Sequence, residues 1–249
     1  METPAIDVVH CQGLEAASAA IIPVVHWQLR EAIDKHGYAT MALSGGKTPA
    51  GLFEALARSG ESRDFPWHKV WFFFVDERAV APGHPDSNYG MFHRHLAEHL
   101  PIIADHIFRM PVETIPLSAA AAHYQRTLRD VFIALSGRDM SAADDQYPAI
   151  DLVLLGMGSD GHTASLFPRH PALQRGEWVV AVDSEQAVPP VPRLTLTLPV
   201  INHADTVLFL IAGEAKIRLA ETFLQGPPLL DYPASFVRPQ RRLLWYMAR

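Results

Sequence analysis

The stretch Asp151-Leu-Val-Leu-Leu-Gly156-Met-Gly158-Ser-Asp160-Gly161-His162-Thr163-Ala-Ser165-Leu-Phe-Pro168 constrains the fold more than any other part of the chain. Its apolar run, Leu152 to Leu155, is too short for a free-standing helix and reads as a buried strand. Gly156, Gly158 and Gly161 follow within a few residues. Glycine at that density marks a turn where backbone comes close to something, because glycine takes unusual dihedrals at little steric cost. After His162, Thr163 and Ser165 the apolar residues are expected to start a short helix. Strand, glycine turn and helix start is where α/β proteins hold small ligands. Exposed amide N–H groups and a positive helix end favour an anion there, and a histidine in such a turn is a candidate for proton transfer.

Composition narrows the class. The chain has 249 residues, enough for one large α/β domain or two small ones, and no repeat or composition shift divides it, so a single domain over 1–249 is expected. No apolar run reaches the ~20 residues of a membrane span, and the N-terminus lacks the basic and apolar regions of a signal peptide. Cys11 is the only cysteine, which excludes an internal disulfide and a cysteine zinc cluster. Together these favour a cytoplasmic protein. A formal net charge of −6 argues against nucleic acid as partner, so cations near glycine turns carry more information than the total.

The rest of the chain alternates strands and helices. A strand is expected at Ile6 to His10, then a helix over Leu14 to Lys35 that Pro23 kinks or divides. His26 and Trp27 read as packing or surface residues. The strand Tyr38 to Leu43 runs into Ser44-Gly45-Gly46-Lys47-Thr48-Pro49, with Thr48 as expected N-cap and Pro49 as first helical residue. This resembles a phosphate cradle, although the GxxxxGK[ST] spacing is absent. The strand Val70 to Val75 ends in Asp76-Glu77-Arg78. These three read either as a solvated strand end or as binding residues, with Arg78 facing an anion and Asp76 or Glu77 facing sugar hydroxyls or a catalytic group. Asp86 or Ser87 is expected to cap a helix running to about Leu100. His95 and His99 on it have i,i+4 spacing but no HExxH pattern, so they read as surface residues rather than metal ligands. A short strand at Ile107 to Met110, a helix from Ser118 to Leu135 and a surface loop from Gly137 to Pro148 precede the central stretch. After it come a strand at Val179 to Val182 and a loop from Asp183 to Pro192. Arg193-Leu-Thr-Leu-Thr alternates as a half-buried strand does. A strand at Thr206 to Ala212 ends at Gly213-Glu-Ala-Lys216, where a helix begins, and Leu243 to Met247 reads as the last strand.

Four strands thus end in polar turns at Ser44–Thr48, Asp76–Arg78, Gly156–Thr163 and Gly213–Lys216. In a parallel sheet these ends share one edge. One pocket is then expected to collect Gly45, Gly46, Arg78, His162, Arg193 and Lys216.

Ser44-Gly-Gly-Lys-Thr-Pro49, Val75-Asp-Glu-Arg78 with Ser87-Asn-Tyr89, and Gly156-Met-Gly-Ser-Asp-Gly-His-Thr-Ala-Ser-Leu-Phe-Pro168 resemble the 6-phosphogluconolactonase family in order and spacing. Arg193-Leu-Thr-Leu-Thr and Gly213-Glu-Ala-Lys216 extend the resemblance over almost the whole chain. It implies a three-layer α/β sandwich around a mostly parallel, Rossmann-like sheet, and no metal or organic cofactor. The implied substrate is a phosphorylated sugar lactone, 6-phosphoglucono-δ-lactone, hydrolysed in the oxidative pentose phosphate pathway. Neither nucleic acid nor membrane is implied as partner, and the chain is expected as a monomer or small homo-oligomer.

In this reading His162 takes a proton from the attacking water, helped by a helix N-terminus that disfavours the imidazolium. Asp76 orients His162 or sugar hydroxyls. Ser44, Gly45, Gly46, Arg78, Gly158, Arg193 and Lys216 contact substrate or phosphate, and amides of the glycine turns or Arg78 face the oxyanion. The related glucosamine-6-phosphate deaminases usually carry Asp-Glu-Tyr where this chain has Asp76-Glu77-Arg78, and end their turn in Asn-Glu-Pro rather than Leu-Phe-Pro168. Both departures favour the lactonase over a deaminase-type isomerase. A non-enzymatic sugar-phosphate sensor is the third reading. It would need neither His162 nor Asp76.

Overall fold

The structure is a computed structural model, and it describes residues 4–137, 147–183, 185, 187–224 and 226–249. Its strands are β1 (Ala5–Cys11), β2 (Ala39–Leu43), β3 (Val70–Phe74), β4 (Asp76–Arg78), β5 (Ile107–Phe108), β6 (Leu152–Leu155), β7 (Val179–Val182), β8 (Arg193–Leu196), β9 (Thr206–Ala212) and β10 (Arg242–Ala248). The helices are α1 (Gly13–His36), α2 (Lys47–Arg58), α3 (Gly60–Arg63), α4 (Asn88–His95), α5 (Leu117–Ser136), α6 (Leu198–Asn202) and α7 (Glu214–Leu224).

Seven strands form one parallel sheet in the order β1-β10-β9-β6-β2-β3-β5, flanked by helices. The central strands β2 and β6 are buried at every position. That is why they read as unbroken apolar runs: a parallel strand covered on both faces has no solvent side to mark with polar residues. The edge strand β1 is exposed at all but Cys11. The remaining three strands form an antiparallel sheet in the order β4-β8-β7. Val75 joins the two sheets. Its amide donates to the Leu43 carbonyl at 3.0 Å, and its own carbonyl accepts from the Leu196 amide at 2.7 Å.

The architecture agrees with the expected parallel α/β sandwich, and several local expectations are corrected. Pro23 does not divide α1, which is continuous from Gly13 to His36. The residue at the start of α2 is Gly46, at φ 110°, rather than Thr48, so Pro49 sits third in the helix. At that φ a residue with a Cβ is strained, and glycine makes the turn. Ser87 caps α4 through a bond from the Gly90 amide, and α4 stops at His95. Strand β8 is buried throughout rather than half-buried, because it is the middle strand of its sheet. Asp76–Arg78 is not a solvated strand end but a strand of its own, paired with β8. Most of the loop expected over Gly137 to Pro148 lies outside the described residues.

His26 and Trp27 behave as packing and surface residues. Trp27 is 48% exposed. His26 is buried, stacks on Phe65 at 4.9 Å between ring centres, and contacts Ser62 Oγ through Nε2 at 3.0 Å and Glu61 through Nδ1 at 3.2 Å. Burial pushes its pKa down, against the pull of Glu61. The unfolded chain therefore takes the proton more readily than the folded one. His26 thus contributes stability that is complete above the unfolded value of about 6.5 and is lost as pH falls below it. In thermal melts at pH 7.5 and pH 5.5, His26→Gln is expected to lose less stability on acidification than the wild type.

Candidate active site

The carboxyl ends of β9, β6, β2 and β3 are consecutive in the sheet. The turns that leave them, at Gly213, Gly156, Ser44 and Val75, therefore stand side by side, as the sequence requires. Ser44 is tied to this edge by its amide, which donates to the Leu154 carbonyl at 3.1 Å.

The turn after β6 is built differently from expectation. No helix follows His162. Residues 156–168 run as successive turns, closed by a bridge between Thr163 and Leu166, with Ala164 at φ 49°. Leu166 and Phe167 are apolar because they plug the core, at 0% and 1% exposure, rather than because they line a helix. No helix starts at this turn, so the expected help from its N-terminus falls away.

Asp160 takes its place. The His162 ring nitrogen Nδ1 lies 2.6 Å from Asp160 Oδ1, and the His162 amide donates to the same oxygen at 3.2 Å. A carboxylate on Nδ1 keeps the proton there and leaves Nε2 with a lone pair. Burial pushes the Asp160 carboxyl up, but the His162 hydrogen bond and charge outweigh it, and the net pKa lies below the ordinary range. Gly158 makes this contact possible, since a Cβ there would overlap both the His162 ring and the Asp160 carboxylate. Gly161, at φ 80°, is covered by Tyr232, and its carbonyl accepts from the Ala234 amide at 2.9 Å.

Asp76 does not bond His162. It is 4% exposed, and its carboxylate accepts from Ser165 Oγ at 2.7 Å and from Asn88 Nδ2 at 3.1 Å. Glu77 is also turned inward. It accepts from the Arg78, Asn88 and Tyr89 amides at 2.8 Å each and from Ser87 Oγ at 3.0 Å. Burial nevertheless raises its pKa, more than these donors lower it.

Arg78 and Arg193 are direct partners across the antiparallel β4–β8 pair. Like charges so placed repel. Arg193 is 3% exposed, donates to the Val188 and Pro189 carbonyls at 2.9 and 3.1 Å, and lies 3.9 Å from Asp76. Burial holds its guanidinium below the usual value, Asp76 pulls it back, and Arg78 adds to the drop. Arg78, half-buried, donates to the Asp86 carbonyl at 2.7 Å. The Nε of each arginine is buried without a partner. Phe167 lies between this pair and the His162 turn, 5.8 Å from the Arg193 guanidinium and 4.9 Å from the His162 ring. Lys216 is half-buried in the first turn of α7 and makes no ion pair among the described residues.

A cavity of about 710 Å³ lies at the opposite end of the sheet, around Asp151, Asp205 and Arg241. It holds no glycine turn. Its acidic side chains already have partners: Glu31 and Asp205 hold Arg241, and Asp151 holds Thr40. The open edge with His162 is the better site on chemistry. No group of histidines, cysteines and carboxylates among the described residues has metal-binding geometry. No described helix is long and apolar enough to cross a membrane.

Replacing Asp160 by Asn is expected to lower turnover about 10- to 100-fold, the worth of one hydrogen bond to a charged group. The fold should be little changed, because the pair is partly exposed. Steady-state kinetics beside a thermal melt checks this.

Comparisons with known proteins agree with the geometry. Residues 14–245 match the family described as glucosamine-6-phosphate isomerases/6-phosphogluconolactonase. A 6-phosphogluconolactonase of Synechocystis is 40% identical over 88% of this chain and 86% of its own length. The human 6-phosphogluconolactonase is 37% identical over 83% of this chain and 77% of its own. Among solved structures, the 6-phosphogluconolactonase of Thermotoga maritima superposes with a TM-score of 0.82 at 27% identity, covering 98% of this chain and all of that one. The turns that carry His162, the Gly45–Gly46 pair and Arg78 all fall within the matched span, and the chain belongs to the glucosamine-6-phosphate isomerase/6-phosphogluconolactonase family.

Proposed function

We propose that this protein hydrolyses 6-phospho-D-glucono-1,5-lactone to 6-phospho-D-gluconate. The observation that carries the reading is His162, presented on a glycine turn with Nδ1 held by Asp160. Water attacks the C1 carbonyl while Nε2 takes its proton. Charge develops on the carbonyl oxygen. Collapse of that oxyanion breaks the bond from C1 to the ring oxygen, which leaves with the proton carried by His162. The site needs no activated side-chain nucleophile, because a lactone is already a reactive ester.

The substrate phosphate is assigned to the cationic edge made by the Ser44-Gly45-Gly46 turn, Arg78 and Lys216. A turn amide or Arg78 then faces the oxyanion. Arg193 supports this edge from beneath, since most of its guanidinium is spent on loop carbonyls and on Asp76. An anion beside Arg78 relieves the repulsion between the two opposed arginines, and their unpartnered Nε groups point the same way. Asp76 belongs with the support rather than with proton transfer.

The test is hydrolysis of the lactone, generated in place from glucose 6-phosphate, with the spontaneous rate subtracted. Acceleration well above background is expected. No acceleration, with ammonia released from glucosamine 6-phosphate instead, would overturn the reading in favour of a deaminase. Phosphate-ester binding with neither reaction would mark a sensor.

A further inference from the structure

Two of the turns at the open edge are joined underneath by a buried chain of side chains. Ser165, at the end of the His162 turn, donates to Asp76 Oδ2 at 2.7 Å. Asn88, at the start of α4, donates through Nδ2 to Asp76 Oδ1 at 3.1 Å and to the Asp76 carbonyl at 2.8 Å. With two acceptors facing it, that atom must be the nitrogen, so the amide orientation is decided by its partners. Asn88 Oδ1 then points away from Asp76 towards Gly45, where it finds no hydrogen-bond donor. A Cβ on Gly45 would overlap it. Gly45 therefore has no side chain because the Asn88 amide occupies that space and rests on the Gly45 backbone. Ser165, Asp76 and Asn88 are 0%, 4% and 2% exposed. None reaches the open edge itself.

Each member is held from a further side. The Ser165 amide donates to Thr195 Oγ1 at 3.2 Å, the Asn88 amide donates to Glu77 at 2.8 Å, and Asp76 has Arg193 beside it. The bridge is thus a rigid body with the proton-transfer turn at one end and the Gly45–Gly46 turn at the other.

We propose that Ser165, Asp76 and Asn88 are positioning residues that set the distance between His162 and the Gly45–Gly46 turn, and so match the site to the span from phosphate to lactone carbonyl. This rests on the lactonase reading for the identity of the substrate. The spacing itself does not depend on it. The two ends act on different steps. Loosening Asn88 lets the glycine turn move and weakens anion binding. Loosening Ser165 lets the His162 turn move and slows the chemistry.

The experiment compares Asn88→Ala, Ser165→Ala, Asp76→Ala and Asp76→Asn in the full chain. A misplacement of under 1 Å supports an expected change of about tenfold at each end. Asn88→Ala is expected to raise KM by that factor with kcat little changed. Ser165→Ala is expected to lower kcat with KM little changed. Asp76→Ala should do both. Asp76→Asn should recover most of the loss, because its oxygen still accepts from Asn88 and its amide can donate to Ser165.

Proportional losses in KM and kcat that track the fall in Tm for all four variants would overturn the proposal, as would the absence of any split. Should the wild type fail to hydrolyse the lactone, the lactonase reading fails alone. The bridge is then judged by calorimetric titration with inorganic phosphate, where Asn88→Ala must weaken binding and Ser165→Ala must not. A second cycle needs no activity. Gly45→Ala should lower Tm strongly in the wild type and less in Asn88→Ala, where the amide overlap is removed and only the residue-88 Cβ, 2.9 Å from the added Cβ, remains. Additive Tm shifts would refute the contact on which the bridge depends.

Discussion

His162→Ala is expected to remove about 10²- to 10⁴-fold of the lactone hydrolysis above background, the range of a positioned general base. The loss should fall on kcat rather than KM, because the proposed phosphate site lies on other turns. The fold should survive. The His162 side chain is 30% exposed, and its neighbours in the turn are held by backbone bonds that the substitution leaves intact, including the Gly158 amide to the His162 carbonyl at 2.9 Å. A variant that melts like the wild type and still accelerates hydrolysis would leave the activity standing and refute the mechanism.

Glu77→Ala is expected to cost stability rather than chemistry. Glu77 is 2% exposed and accepts the amides that begin α4 together with the hydroxyl of its cap, Ser87. Alanine strands these donors in a space that water does not reach. Each unpaired buried donor costs about 1–3 kcal/mol, offset in part by the burial penalty that the carboxylate no longer bears. A net loss of roughly 3–5 kcal/mol follows, or about 10 °C in Tm for a chain of this size. Glu77→Gln should fall between, since one amide oxygen still accepts while the nitrogen faces the Tyr89 N–H. Because Asn88 is anchored through Glu77, both variants should also raise KM for the phosphorylated substrate at temperatures where they remain folded. A Glu77→Ala protein with an unchanged melting temperature would show that α4 begins independently of this carboxylate.

Much of the architecture was legible in the chain. Strands β2, β3, β6 and β9 are short apolar runs ending in polar or glycine turns, because each is buried in a parallel sheet and each opens onto the same edge. The convergence of Ser44, Gly45, Gly46, His162 and Lys216 on neighbouring turns follows from parallel pairing alone. The signal for Asp160 is local. A carboxylate two residues before a histidine, inside a turn with glycine on both sides, has the reach to hold Nδ1. The apolar segment after His162 predicts a short helix, whereas Leu166 and Phe167 are plugs of the core. Short apolar pairs carry no period, so local sequence cannot separate the two cases.

The remaining differences between sequence expectation and structure concern residues far apart in the chain. Asp76 looked like a partner for His162, yet Ser165 and Asn88 hold it in the interior. Arg193 is expected from sequence among the substrate or phosphate contacts, yet β8 is the middle strand of a small sheet that buries it beside Asp76. Sequence by itself determined the strand–turn alternation, the shared edge and the placement of His162 on a glycine turn at that edge. These depend on local periodicity, on glycine's freedom and on the rule that parallel strands end together. Only the tertiary structure decided which charged groups face outward and which brace the site from beneath. That outcome depends on burial and on hydrogen bonds between segments 40 to 120 residues apart, such as Ser165 to Asp76 and Thr195 to Val75, where the free energy of a charge is settled by what closes over it.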